Sequence, residues 1–309
     1  MKLGKKNVGL HKIIKIKAMN KIILFFGTWM ILLLSSCENN NSNQTIDNTD
    51  TIADTIENIT SEIIFQVPSP DEFISLLKNS KADYKANITA PEKTNFIEPF
   101  KQKLNLGIYA ADMAYLATFN KFQETIRYFS KVKSLSDQLG ITNAIEKSTF
   151  DRLENNIINI DSITSITNNS FYNVIDHLQQ TDDGLTLAYI STGGWIESMY
   201  IAFQLVNKYD EKNPIVQRIA SQKVVLENLI KMLETFKNNK EIESLYNDII
   251  SIQSTMNQIN SVVDKNASPS QDTTKVIIGV KTIYSIDNNT FAKLKQLIEK
   301  VRNEIIKQA

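Results

Sequence analysis

Apolar positions recur at helical spacing along most of the chain. Tyr115, Phe119, Phe122, Ile126 and Phe129 follow one another at steps of four, three, four and three, which predicts one aromatic stripe along a single helix. Gly140, directly after Leu139, is placed to end that run in a left-handed turn. Asn143 to Ile160 continues with Ile145, Leu153, Ile157 and Ile160, and a further helix is predicted from Ile163 to Gln180, stopping near Asp182-Asp183-Gly184. Pro214 suits the first turn of a helix that carries Ile219, Leu226, Leu229, Ile230, Leu233 and Phe236. Ile242 to Val263 predicts another amphipathic segment, and Phe291 to Ile306 a closing helix with Leu294, Leu297, Ile298 and Val301.

Two stretches depart from this period. Asn266 to Asp272 is polar and contains Pro269, as a loop does. Lys275 to Ile286 alternates and is β-branched at Val276, Ile278, Val280 and Ile283, which predicts extended chain. Upstream, Pro68-Ser69-Pro70-Asp71 is a stiff lead-in and helix start. The expected fold class is therefore all-α: a multi-helix bundle over residues 63–309 with one short extended segment near 275–286. About 245 residues suffice to bury a core without metals or disulfides.

Two helical stretches lack a polar face. Between Lys103 and Lys121 the only charged residue is Asp112, and between Asp183 and Lys208 the only one is Glu197. Helices apolar on nearly every side belong at the centre of a bundle, where their glycines and alanines allow close approach. The two align without a gap, Asp112-Met-Ala-Tyr115-Leu-Ala against Glu197-Ser-Met-Tyr200-Ile-Ala, the trace a duplicated helical hairpin with pseudo-two-fold symmetry leaves. In each, acid and tyrosine are three residues apart and share a helix face. A buried carboxylate must be paired, hydrogen-bonded or neutralised. Either each acid is satisfied by a tyrosine hydroxyl, a backbone amide or an arginine, with Arg127, Arg152 and Arg218 as the candidates, or Asp112, Tyr115, Glu197 and Tyr200 line one internal ligand-binding pocket.

The chain begins differently. Lys2, Lys5, Lys6, Lys12, Lys15, Lys17 and Lys21 precede an apolar run of 13 residues, Ile22 to Leu34, too short for the roughly 20 residues of a transmembrane helix. Leu34-Ser35-Ser36-Cys37 then resembles the lipobox of bacterial lipoproteins, and Cys37 is the only cysteine. That resemblance implies cleavage after Ser36, a diacylglycerol and an N-acyl lipid on Cys37, and attachment to a lipid bilayer. Starting at Met19 instead of Met1 gives a more usual leader length. Glu38 to Glu62 follows as an acidic, Asn/Thr-rich tether without aromatic or basic residues, too poor in apolar surface to offset its ordering entropy. The expected organisation is thus a signal peptide over 1–36, a tether over 37–62 and the helical domain over 63–309.

Whole-chain charge is balanced at 34 basic and 34 acidic residues, but loss of the seven leader lysines leaves 27 against 34. That acidic excess disfavours nucleic acid as a partner, since phosphate contacts need a basic surface. Beyond the leader there is one histidine, His177, on a predicted helix face; zinc and haem sites usually need more His or Cys than this, and a Ser-His-Asp triad would have to use His177, which has no nucleophile motif nearby. No metal or catalytic residue is assigned.

Lipobox, acidic tether, Pro-Ser-Pro lead-in, the Gly107-x-Tyr109-x-x-Asp112-x-x-Tyr115 helix and the Gly193-Gly194-Trp195-Ile196-Glu197 helix together resemble a group of helical lipoproteins in Bacteroidota. The resemblance implies lipidation of Cys37 and an outer-membrane location, and no activity. The functional expectation is a non-enzymatic envelope lipoprotein binding a protein or envelope component. The alternatives are a small-ligand or cation binder built on Asp112, Tyr115, Glu197 and Tyr200, then an acid/base hydrolase on the same residues.

Overall fold

The computed structural model describes residues 70–80, 82–93, 95–142, 151–152, 155, 159–264 and 281–307. These all fall in one compact unit, Asp47–Ala309. The signal peptide, Cys37, the tether, Pro68-Ser69, nearly all of 143–158, the 266–272 loop and residues 275–280 lie outside the described residues.

The fold is all-α. The helices are α1 (Pro70–Asn79), α2 (Pro99–Thr118), α3 (Phe122–Gln138), α4 (Ile160–Gln180), α5 (Gly184–Leu205), α6 (Pro214–Ser221), α7 (Lys223–Glu234), α8 (Lys240–Met256) and α9 (Asn288–Ile306). The strands β1 (Asn260–Asp264) and β2 (Lys281–Ser285) form one antiparallel pair, with Val262 opposite Ile283.

The aromatic stripe predicted along one helix is divided between two. Asn120 adopts φ 56°, and the amides of Asn120 and Lys121 bond back to the carbonyls of Ala117 and Leu116, closing α2 before α3 begins. Asn tolerates the left-handed region, so it ends the helix without glycine. The stripe is accordingly uneven: Tyr115 and Phe129 are buried, whereas Ile126 is exposed. The helix expected from Pro214 to Phe236 also breaks, at Gln222. The segment expected to be amphipathic through Val263 ends its helix at Met256 and turns into β1. The side-chain amide of Gln217 holds the hairpin to α6, donating to the Tyr284 carbonyl at 2.7 Å and accepting from the Tyr284 amide at 3.0 Å.

Helix starts repeat one local device. Asp183 accepts from the Thr186 amide and hydroxyl at the head of α5, and Asp287 does the same with Thr290 at α9. Each short Asp-x-x-Thr box fixes the first turn of a helix that carries a charged member of the buried cluster described below.

At the centre, α2 and α5 run side by side in the same direction and make the most extensive helix contact. Glycine makes this possible: a Cβ at Gly107 would sit 2.1 Å from the Ile190 carbonyl oxygen, and one at Gly193 2.0 Å from that of Leu104. α1 and α4 cover one side of the pair, α3 packs on α2, and α9 crosses both central helices. Among the described residues no helix is long and apolar enough to cross a membrane.

Candidate functional site: a buried charge cluster under a backbone strap

Close packing of α2 and α5 brings Asp112 and Glu197 into contact, both fully buried. Arg302 of α9, itself buried, completes the cluster. Its Nε donates to Glu197 Oε2 at 2.9 Å and its Nη2 to Glu197 Oε1 at 3.0 Å. The guanidinium carbon sits over Tyr200, 4.3 Å from the ring centroid, within cation–π range. Nη2 also reaches the Ile88 carbonyl at 3.4 Å.

Asp112 has a different set of partners. Its Oδ2 accepts from the Ala90 amide at 2.9 Å, while Oδ1 has no donor if both acids are ionised. A proton resolves this. Burial, the adjacent Glu197 charge and a hydrogen bond to Glu197 push the Asp112 carboxyl well above its ordinary range, against the Ala90 amide and Arg302. Glu197 is also raised by burial, but the two bonds and the charge of Arg302 pull it back. Asp112 therefore carries the proton and donates to a Glu197 carboxylate, which Arg302 neutralises. For Arg302, burial opposes the charge and Glu197 and Asp112 restore it.

Above this cluster runs an irregular strap, described over residues 82–93 and 95–96, whose backbone is sewn down by side chains. Tyr115 Oη accepts from the Lys85 amide at 2.9 Å and donates to the Lys85 carbonyl at 3.0 Å. Tyr128 Oη bonds Thr89 Oγ1 at 2.8 Å and the Ala90 carbonyl. Tyr109 Oη accepts from the Lys93 amide at 3.0 Å and faces the carbonyls of Pro91 and Lys93. Burial raises the phenols of Tyr109 and Tyr115 to about 12, so both stay protonated donors at neutral pH. Residues 109, 112 and 115 stand at successive steps of three on α2, one face carrying Tyr, Asp and Tyr onto the strap. The Lys85 ammonium extends the fastening to the Gln204 carbonyl of α5.

The four residues singled out from the sequence thus lie in one region with distinct roles. Asp112 and Tyr115 hold strap backbone, Glu197 holds Arg302, and Tyr200 stacks on it. The six-residue alignment is therefore not matched by equivalent partners. Of the arginines expected to pair with the acids, Arg127 instead pairs with exposed Glu92 at 2.8 Å, and the partner is Arg302. The signal was faint: Arg302 sits among exposed charged positions of α9, one residue after the apolar Val301. Tyr128 was not singled out, and Tyr109 entered only through the Gly107-x-Tyr109-x-x-Asp112-x-x-Tyr115 pattern and not as a site residue, although it precedes Asp112 by the same three-residue step as Asp112 precedes Tyr115. His177 lies half-buried in the last turn of α4, apart from these residues in sequence. Among the described residues no three His, Cys, Asp or Glu side chains are grouped to hold a metal ion.

No family model matches the chain, and no curated protein or solved structure matches it either.

Proposed function

We propose that the protein is a lipid-anchored component of the cell envelope, held by acyl chains on Cys37, whose helical domain acts by binding rather than by catalysis. The observation that carries the non-catalytic part is the burial and mutual satisfaction of Asp112, Glu197 and Arg302. A general acid or base must come within hydrogen-bond reach of a substrate proton. Here the acids face one another, a backbone amide and a guanidinium. A metal cation would meet the positive charge that Arg302 already supplies. The cluster acts as a scaffold, fastening the strap and α9 to the central helices.

Support for the anchor comes from the lysine-rich leader, Leu34-Ser35-Ser36-Cys37 and the acidic tether. The likeness to helical Bacteroidota lipoproteins extends this to an outer-membrane protein that presents its domain to an envelope partner. Growth with an alkyne-bearing palmitate analogue tests the anchor: the wild-type chain should take up label and stay with membranes, and Cys37→Ala should do neither. Membrane retention of an unlabelled wild-type chain would overturn it. The scaffold role fails if Asp112→Asn abolishes a hydrolytic or ligand-binding activity of the wild-type chain at unchanged Tm.

A further inference from the structure

The hairpin holds apolar side chains out in solvent. Val262 is 65% exposed, Val263 49% and Ile283 46%, a concentration of large exposed apolar residues that no other element of the described chain carries. Val262 lies directly opposite Ile283, so these two share one face, and Val263 stands on the other.

Its two outer edges differ. On β2, the Gln217 side chain takes up both the amide and the carbonyl of Tyr284. Tyr284 therefore turns these groups away from β1, which makes Ser261 and Tyr284 a non-hydrogen-bonded pair. Ser261 in turn directs its own amide and carbonyl away from β2, and Val263, two residues on, does the same. These backbone groups have no hydrogen-bond partner among the described residues. Edge strands are normally blunted by a charge, a proline or a bulge. Ser261, Val262 and Val263 carry none of these.

Outward amides and carbonyls alternating along a strand are matched by another extended chain, and this edge matches a copy of itself. With a two-fold axis at Val262, antiparallel pairing sets Ser261 opposite the second copy's Val263, so every outward amide and carbonyl of both residues finds a partner. The same register sets Val262 against its own equivalent. One face then carries an unbroken apolar row across both hairpins, from Ile283 through the two Val262 side chains to the second Ile283. Charge agrees with this register: Asp264 falls opposite the neutral Asn260, whereas an axis at Asp264 would set two aspartates against each other.

We infer that β1 is a self-association edge, through which two copies of the chain pair antiparallel over Ser261, Val262 and Val263. The 5 residues of β1 are well short of the roughly 20–30 residues a side of a stable complex, so the contact is transient and forms where copies are concentrated. A shared membrane anchor concentrates them, and to that extent the inference rests on the proposed lipidation of Cys37.

The test is disulfide trapping of the full-length chain in membranes treated with copper phenanthroline. Val262→Cys places two thiols at the axis, on Cα atoms about 4.5 Å apart, within the span a disulfide bridges. It should form a linked dimer at least tenfold faster than Val224→Cys, an exposed position on α7. Ser261→Cys alone should not link, because its equivalents are diagonal neighbours about 7–8 Å apart. Ser261→Cys and Val263→Cys expressed together should link to each other. The inference is overturned by Val262→Cys linking no faster than Val224→Cys, by Ser261→Cys alone linking as fast as Val262→Cys, or by Val262→Cys linking to a different protein in place of a second copy. All these variants share the same anchor, so such results leave it standing. A disulfide dimer of the chain without added cysteine would run through an unacylated Cys37 and overturn the anchor instead; the comparison of Val262→Cys with Val224→Cys in a Cys37→Ser background then decides the edge.

Discussion

Arg302 and Glu197 meet in a two-pronged contact across 105 residues of chain, with both side chains withdrawn from water. The pair ties the last helix to the central one, and through the Ile88 carbonyl and Asp112 it also holds the strap. Breaking a buried pair costs more than the pair contributes, because the surviving charge is left without a partner.

Glu197→Gln should therefore destabilise the protein by about 3–5 kcal/mol, read from urea unfolding. Removing the stranded charge as well, in Glu197→Gln/Arg302→Met, should recover part of that loss. Strictly additive single and double variants would show that the two residues do not act as a pair.

Asp112 predicts a pH dependence of definite sign. Its folded carboxyl titrates well above the ordinary range, chiefly because it is buried and beside Glu197. Below about pH 3.9, the unfolded value, both states hold the proton and stability is unpenalised by this group. As pH rises past that value the unfolded chain releases its proton while the folded chain retains it, so stability falls toward neutrality. Asp112→Asn keeps an acceptor for the Ala90 amide and a donor for Glu197, and should flatten this decline. An identical slope in wild type and Asp112→Asn between pH 4 and 7 is the outcome that contradicts a protonated Asp112.

Adjacent glycines should behave oppositely. Gly193→Ala drives a methyl into the Leu104 carbonyl and should cost about 3 kcal/mol, the upper end for overpacking. At Gly194 the nearest atom to an added Cβ is 3.6 Å away, an ordinary contact. Gly194→Ala should be neutral or stabilise by up to about 1 kcal/mol through helix propensity. Thermal melts of the two variants side by side suffice, and equal melting temperatures would refute the close crossing.

The strap should loosen locally when one tyrosine is cut. Tyr115→Phe leaves the Lys85 amide and carbonyl without their shared hydroxyl, at a cost of about 1 kcal/mol. Amide hydrogen exchange should accelerate at Lys85 and its neighbours while the cores of α2 and α5 keep their protection. Uniform acceleration across the domain would mean that the strap unfolds only with the whole.

Much of the architecture could be read from local pattern. Apolar spacing, Pro214, and the missing polar faces around Asp112 and Glu197 mark helices and their centrality, because each depends on neighbours within a turn or two and on burial averaged over a face. The break at Asn120 was less visible, since Asn allows a left-handed residue without requiring one. The hairpin escaped for a related reason: β1 continues the apolar pattern of α8, and only pairing with β2 makes it extended.

From the sequence alone came the all-α class, the burial of two acids, and the expectation that glycines would let central helices touch, all consequences of short-range composition. The tertiary structure decided which partners those acids found. Arg302 carries nothing in its local sequence that points to Glu197, and the Ala90 amide is a group every residue but proline possesses. Such pairings depend on how α9 and the strap cross α2 and α5, a geometry set by the packing of all the helices at once.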